Sequence, residues 1–421
     1  MFNVFSTALS ALSAMSTAID VTGNNLANMD TTGFKGSNMA FSDLISQSIG
    51  NGGGTSVGFG TAQPLTIQDF SQGAIQSETS PLDAAIQGAG FFIVQDPVNG
   101  NTTYTRDGTF QVDNSGNLTS QSGQDVQGWT ALNPNGSINT SGPIGNITLT
   151  SGALLPPVPT TQMTVSLNLN AASPADATSN FSTPVTVYDS LGTSHVLTVD
   201  FQNTGGNTWS YQVTVPGNEV TAGTAGTPFD IPNASGTLTF NSSGQLTGPA
   251  VGSPIAVAIP GLTDGAADMN INWNPYSSGG AGLITQFGQA SASSASTQNG
   301  AAAAQLVSVS IANGGGVVAS YSNGIQTVVG QVATAVIGNP NTLIDVGNND
   351  YGLSASTDNP SVGTPGTGGR GTVVGSALEA SNVDLATQFT NLIQFQRSYE
   401  ANAHVVTTAD QLSQDTINLI H

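Results

Sequence analysis

Between Phe5 and Leu26 the apolar residues Phe5, Ala8, Leu12, Met15, Ile19 and Leu26 recur at steps of three, four or seven, with Leu9 beside them and a polar Thr22 interrupting the row. That spacing predicts a helix with an apolar seam of the coiled-coil kind. After Ser376 the same steps return in Leu385, Phe389, Leu392, Tyr399, Ala403 and Val406, with Val405, Leu412 and Leu419 alongside. A second helix is expected there, about 60 Å long if it runs about 40 residues at 1.5 Å each. Ser381 or Asn382 is its expected cap.

Between these ends the periodicity changes from helical to alternating. Short runs such as GFFIVQD, MTVSLNL, TPVTVYD, HVLTVDF and SYQVTV are rich in β-branched and aromatic residues and are separated by Gly, Asn, Asp and Pro. They predict an all-β middle. Hairpins are expected at Asn114–Asn117, Asn241–Gly244 and Ser322–Gly324, where Asn or Gly takes positive φ cheaply.

Two glycine-rich stretches flank the β region. Ile49–Gly60 holds Gly52, Gly53 and Gly54, and Pro360–Gly371 holds Gly368 and Gly369. Both read as hinges. LLPPVPTT at Leu154–Thr161 breaks the region internally, and the Ala/Ser-rich run Ala290–Ala304 reads as the return across that break. The expected fold class is therefore mainly β, multi-domain and discontinuous, with long α-helical N- and C-termini forming a coiled coil. Its nested parts are terminal helices at 1–28 and 378–421, connectors at 29–75 and 361–377, a first β domain at 76–153 and 305–360, and an inserted outer β domain at 154–304.

Charge narrows the function. The 421 residues carry a formal charge of −21, with only Lys35, Arg106, Arg370 and Arg397 as basic side chains. No array of cations exists to neutralise phosphates, so nucleic acid is excluded as a partner, and anionic membranes are disfavoured. Charged residues make up 7% of the chain where about a quarter is usual, so Ser, Thr, Asn, Gln and Gly must cover most of the surface. The absence of cysteine removes disulfides and thiolate chemistry. No uninterrupted apolar run approaches the roughly 18 to 20 residues of a membrane span, and MFNVFSTALSALSAMSTAID lacks the basic start and continuous apolar core of a secretory signal.

The apparent catalytic motifs dissolve on inspection. GTSVG at Gly54–Gly58 matches a nucleophile elbow but sits in a glycine loop, without the strand and helix that the elbow requires. GTGGRG at Gly366–Gly371 matches a dinucleotide fingerprint but follows a proline-containing loop. His195, His404 and His421 have no metal-ligand spacing, and His195 reads as a surface strand residue. DVGNNDYG at Asp345–Gly352 offers oxygen ligands but misses the EF-hand spacing, so turn chemistry is the better reading. No enzyme, cofactor or metal is expected. Arg397 and Glu400 are expected to pair within or between helices.

A helix with a coiled-coil seam is only marginally stable alone, so each end needs a partner. MFNVFSTALSALSAMSTAIDVTGNNLANMDTTGFKG and, at the other end, GSALEASNVDLATQFTNLIQFQRSYEANAHVVTTADQLSQDTINLI together resemble the two terminal signatures of the bacterial flagellar rod and hook axial proteins. PLDAAIQGAGFFIV, YTRDGTFQVD and GQDVQGW are similar to that family's first β domain, whereas about Pro156 to Ala304 matches no recognised pattern.

The resemblance implies a structural subunit that polymerises with itself around a central export channel. It leaves the cell by the flagellar type III pathway without a cleaved signal and ends up outside the cell. The implied partners are further copies, the distal rod, the hook cap, the hook–filament junction and hook-length control proteins, and the export apparatus. Length favours the hook, a flexible universal joint between rod and filament, over the distal rod subunit, which lacks the inserted domain. A surface adhesin or carbohydrate-binding β protein is the alternative from a different class. Asn24, Asn25, Asn28, Thr31, Thr32, Gly33, Phe34 and Lys35 are implied to hand the first helix over to the connector, with side-chain hydrogen bonds competing with helix continuation.

Overall fold

A computed structural model describes residues 2–44, 47–48, 56–133, 136–149, 154–176 and 180–418. Gly52, Gly53, Gly54 and Leu419 lie outside the described residues. The chain is mostly β-sheet, with one long helix near each terminus: α1 (Phe2–Ala27) and α2 (Leu385–Asn418). It divides into two compact units, the first made of residues 1–151, 308–320 and 326–421, the second of 152–307 and 321–325.

In the first unit, α1 and α2 pack along one another. The end of α1 meets the start of α2 through Asn25 and Gln388, so the two run antiparallel. The side chains α1 buries are small ones, Ala8, Ala14, Ala18, Thr22 and Asn25. Thr22 therefore joins the buried face instead of interrupting it; its hydroxyl donates to the Ala18 carbonyl at 2.7 Å, the usual way for a mid-helix threonine to satisfy itself. Asp384, rather than Ser381 or Asn382, caps α2, since its Oδ1 accepts from the Thr387 amide at 2.7 Å.

By length and composition Val4–Ala27 is apolar enough to cross a membrane, with a mean hydropathy of 1.4. The uninterrupted apolar runs are nonetheless short, as expected, because serine and threonine break them; alanine, valine, leucine, isoleucine and methionine keep the average high, and Asp20 is the one charge.

The β part of the first unit is built around the strand Phe91–Gln95, buried on both faces. Alternation sends Phe92 and Val94 into a core with Phe110, Val126 and Val332, and Phe91 and Ile93 into another with Tyr104, Trp129 and Tyr351. Its neighbours in the sheet are Asp125–Trp129, Thr102–Thr105 and Thr334–Val336. The expected hairpin turns form at Asn114–Asn117, Asn241–Gly244 and Ser322–Gly324.

The second unit is a sandwich of two five-stranded sheets over one core. Alternate residues of Gln162–Asn170 and of Ser194–Gly205 point inward. Tyr211 and Phe201 from one sheet meet Trp273 from the other edge to face, with ring centroids 5.2 and 6.1 Å apart. Within the run Ala290–Ala304, Ala292–Gln298 is a strand paired with Gln162–Asn170. His195 is buried at 3% exposure, which overturns its reading as a surface residue. It occupies the inward parity of its strand with Leu197, Val199 and Phe201.

Candidate functional site

The helix-to-connector signature folds into a junction that brings both ends of the chain together. Asn28 donates to the Asn24 carbonyl at 3.0 Å and accepts from the Thr31 hydroxyl at 3.2 Å, so side chains close off the last turn of α1. Gly33 then takes φ 68°, and its amide donates to the Glu379 carbonyl at 2.7 Å. A Cβ at Gly33 would stand 2.7 Å from the backbone of Arg106 and Asp107, so both the conformation and the space require glycine. Phe34 is half-buried.

The only lysine in the chain is consumed here. Lys35 Nζ donates to Glu379 Oε1 at 2.6 Å and to the Ser71 carbonyl at 2.7 Å. Arg106 Nη1 donates to Glu379 Oε2 at 3.0 Å, and its Nη2 to the Gly88 carbonyl at 2.8 Å. The Gly73 amide adds a bond to Glu379 Oε1 at 2.9 Å. All three charged side chains are buried. Burial pushes the Lys35 ammonium below the ordinary lysine range, against the opposing pull of Glu379. Two cations on one carboxylate leave a net positive charge, held by carbonyl oxygens and by the face of Phe91, whose ring centroid lies 5.3 Å from the guanidinium carbon of Arg106.

Around this triad, amide side chains stitch the two termini. Asn25 exchanges two bonds with the Ser37 backbone at 2.8 and 2.9 Å and donates to Gln388 at 3.3 Å. Asn382 accepts from the Gly36 amide at 2.8 Å and donates to the Asp69 carbonyl at 2.8 Å. Asn349 donates to the Thr32 carbonyl at 2.8 Å. Glu379 and Arg106 are the members sequence reasoning did not assign, and Asn382, expected as a helix cap, serves the junction instead. The signal was available, since a lone lysine beside a turn, in a chain with four glutamates, needs a counter-charge.

Phe5, Leu9, Leu385, Phe389, Tyr399 and Leu412 are exposed, while Leu12, Met15, Ile19, Leu26, Leu392 and Val406 are half-buried. Arg397 and Glu400, expected to pair, are both exposed, and no ion pair joins them within the chain. Gly368 and Gly369, at φ 56° and 81°, lie in a turn over which Arg370 reaches the Thr364 carbonyl at 3.1 Å and the Thr367 hydroxyl at 2.9 Å.

Four family models match the chain. The flagella basal body rod protein model covers residues 5–35, the flagellar hook protein FlgE/F/G D1 domain 85–169, the flagellar basal body protein FlaE D2 domain 158–301, and the flagellar basal body rod FlgEFG protein C-terminal model 374–419. The first and last of these meet at the Lys35–Glu379 junction. The flagellar hook protein FlgE of Escherichia coli K12 is 33% identical over 426 residues, covering 99% of both chains. That of Treponema pallidum is 32% identical and covers 96% of both.

The chain belongs to the flagellar hook protein FlgE family.

Its place is therefore the bacterial flagellum, as a subunit of the hook, and the distal rod alternative gives way to relatives matched end to end. The stretch without a recognised pattern is accounted for by the D2 domain of the same family. A crystal structure of Helicobacter pylori flagellar hook protein FlgE2 has the related fold, with a TM-score of 0.51 at 14% identity over 71% of this chain and 99% of that one.

Proposed function

We propose that α1 and α2 are the assembly element of the hook, a coiled-coil inner tube built from many copies around a central export channel. The observation that supports this is the set of large apolar side chains left exposed on the helices: Leu9 is 56% exposed, Phe389 46% and Leu412 57%, while the side chains α1 buries fully are small or polar, Ala8, Ala14, Ala18, Thr22 and Asn25. Apolar side chains laid along a helix pair call for a matching surface, and neighbouring copies of the same chain supply one. The packing of α1 along α2 also favours assembly over membrane insertion for α1.

In this reading residues 29–75 and 361–377 connect the tube to a first β domain at 76–153 and 305–360, which carries an outer β domain at 154–304. Torque passes through the tube. Bending is taken up by outer domains whose polar, charge-poor surfaces re-pair through water, with the glycine stretches around Gly52–Gly54 and Gly368–Gly369 as hinges. The polymer is a universal joint, outside the cell, reached by type III export without a cleaved signal. Its partners are further copies, the distal rod, cap, hook–filament junction and length-control proteins, and the export apparatus.

The test is a chain carrying Leu9→Ser, Phe389→Ser and Leu412→Ser. These exposed sites add little to the fold of one chain, so circular dichroism should be unchanged while electron microscopy finds no tubes. Tubes of normal length and number would refute the proposal.

A further inference from the structure

The second unit contains no lysine or arginine, yet three of its carboxylates converge on one buried histidine. His195 Nδ1 lies 2.7 Å from Glu219 Oε2, and Nε2 lies 3.1 Å from Asp189 Oδ2 and 3.9 Å from Asp264 Oδ2. Asp189 is fully buried, and its Oδ1 already accepts from the amides of Leu191 and Thr193 at 2.8 and 2.9 Å. Its Oδ2 is thereby aimed at the imidazole. One donor atom each from Asp189, His195 and Asp264 lies within 4.8 Å of the others.

The three loops that carry Asp189, Glu219 and Asp264 are fixed to one another by hydrogen bonds. The Thr263 amide donates to the Glu219 carbonyl at 2.9 Å, the Thr221 amide to the Gly261 carbonyl at 2.8 Å, and the Ala267 amide to the Ser190 hydroxyl at 3.0 Å. The cluster is therefore preorganised.

Asp189 is the fully buried carboxylate, whereas the Glu219 and Asp264 side chains keep 26 and 28% of their surface in solvent, so an ion reaches the cluster from the Asp264 side, and the unit has no lysine or arginine to compete for these carboxylates. The ring is also divided as in metal sites: one nitrogen faces an orienting carboxylate, and the other faces the remaining ligands. Ligands about 2.0 to 2.2 Å from a tetrahedral zinc stand roughly 3.3 to 3.6 Å from one another. The 3.1 and 3.9 Å separations bracket that spacing, and Asp264, on an exposed loop, is free to close the difference.

We propose that Asp189, His195 and Asp264 bind one divalent transition-metal ion of the zinc class, with Glu219 orienting the imidazole and water completing the shell. The ion staples the Asp189 and Asp264 loops to the strand Ser194–Gly205 of the second unit. It escaped sequence reasoning because its ligands, spread from Asp189 to Asp264, include a single histidine.

The experiment titrates the chelator-stripped full-length chain with Zn²⁺ and, in parallel, Co²⁺, with Mg²⁺ and Ca²⁺ as competitors. The expected result is one ion per chain, a visible cobalt d–d band, and no displacement by Mg²⁺ or Ca²⁺. Asp264→Asn, on an exposed loop, should keep the fold and weaken binding at least tenfold, and Glu219→Gln should weaken it about 10- to 100-fold. No stoichiometric binding by the natural chain would overturn the proposal and leave the cluster as a protonated-histidine ion pair. Binding undiminished in Asp264→Asn would overturn it equally, by placing the ion at another site.

Discussion

Lys35 and Glu379 stand 344 positions apart in the chain and 2.6 Å apart in the fold, and that contact fastens the N-terminal connector to the segment leading into α2. Because Arg106 binds the same carboxylate at 3.0 Å, the two ways of breaking the triad are unequal. Removing Glu379 strands two buried cations, whereas removing Lys35 leaves a neutral pair. Glu379→Gln should cost about 3–5 kcal/mol, and Lys35→Met clearly less. Urea unfolding of the two variants, followed by proteolysis across residues 29–75, gives the comparison; equal costs would mean the charge count is not what matters.

The two adjacent asparagines of the signature should behave differently. Asn25 is buried and holds both Ser37 backbone groups as well as Gln388, while Asn24 is exposed. Asn25→Ala leaves buried polar groups unpaired and should cost about 1–3 kcal/mol. Asn24→Ala should stay within about 0.5 kcal/mol. Thermal unfolding of both variants decides it, and similar losses would contradict the hydrogen-bond assignment.

Gly33 offers a sharper test, because both φ 68° and the nearby Arg106 and Asp107 backbone reject a side chain. Gly33→Ala should destabilise the junction by more than about 1 kcal/mol and reduce tube formation. Asn, which tolerates left-handed φ elsewhere in this chain at Asn207 and Asn233, should rescue little, since the steric conflict remains. Recovery with Asn would show that conformation alone sets the requirement.

These junction residues also mark where sequence reading stopped. Hairpins at Asn114–Asn117 and Asn241–Gly244 were legible because turn chemistry is local. The Lys35–Glu379 contact was not, because nothing local records which distant carboxylate will arrive. His195 was misread although its parity with Leu197 and Val199 pointed inward; residue type was weighed above alternation. Ala292–Gln298 was missed as a strand because its residues are small and mostly exposed, leaving no apolar alternation to detect. On the helices the period was legible, and the large apolar side chains were expected to meet a partner, either the other helix or further copies of the chain. Within one chain Phe389 and Leu412 stay exposed, and the side chains that α1 buries fully are small or polar.

Asp350 links the neighbourhood of the junction to pH. It is 3% exposed and pairs with Thr105 across adjoining strands, and burial raises its carboxyl to about 6, with Asp107 adding to the rise and a hydrogen bond to Thr105 opposing it. A carboxyl raised above its unfolded value favours the neutral form in the fold. Its contribution to stability is complete below about pH 4 and is lost as pH climbs through about 6. Asp350→Asn cannot ionise, so relative to that variant the natural chain should lose protection between pH 4 and pH 7. Hydrogen exchange of the strand Thr102–Thr105, compared between the two chains at each pH, reads this directly and cancels the intrinsic pH dependence of exchange. The neighbouring Asn349, which accepts from the Thr105 hydroxyl at 2.9 Å and holds the Thr32 carbonyl, would carry the loosening to the end of α1. A protection ratio that stays flat from pH 4 to pH 7 would place the Asp350 titration outside that window and remove the link.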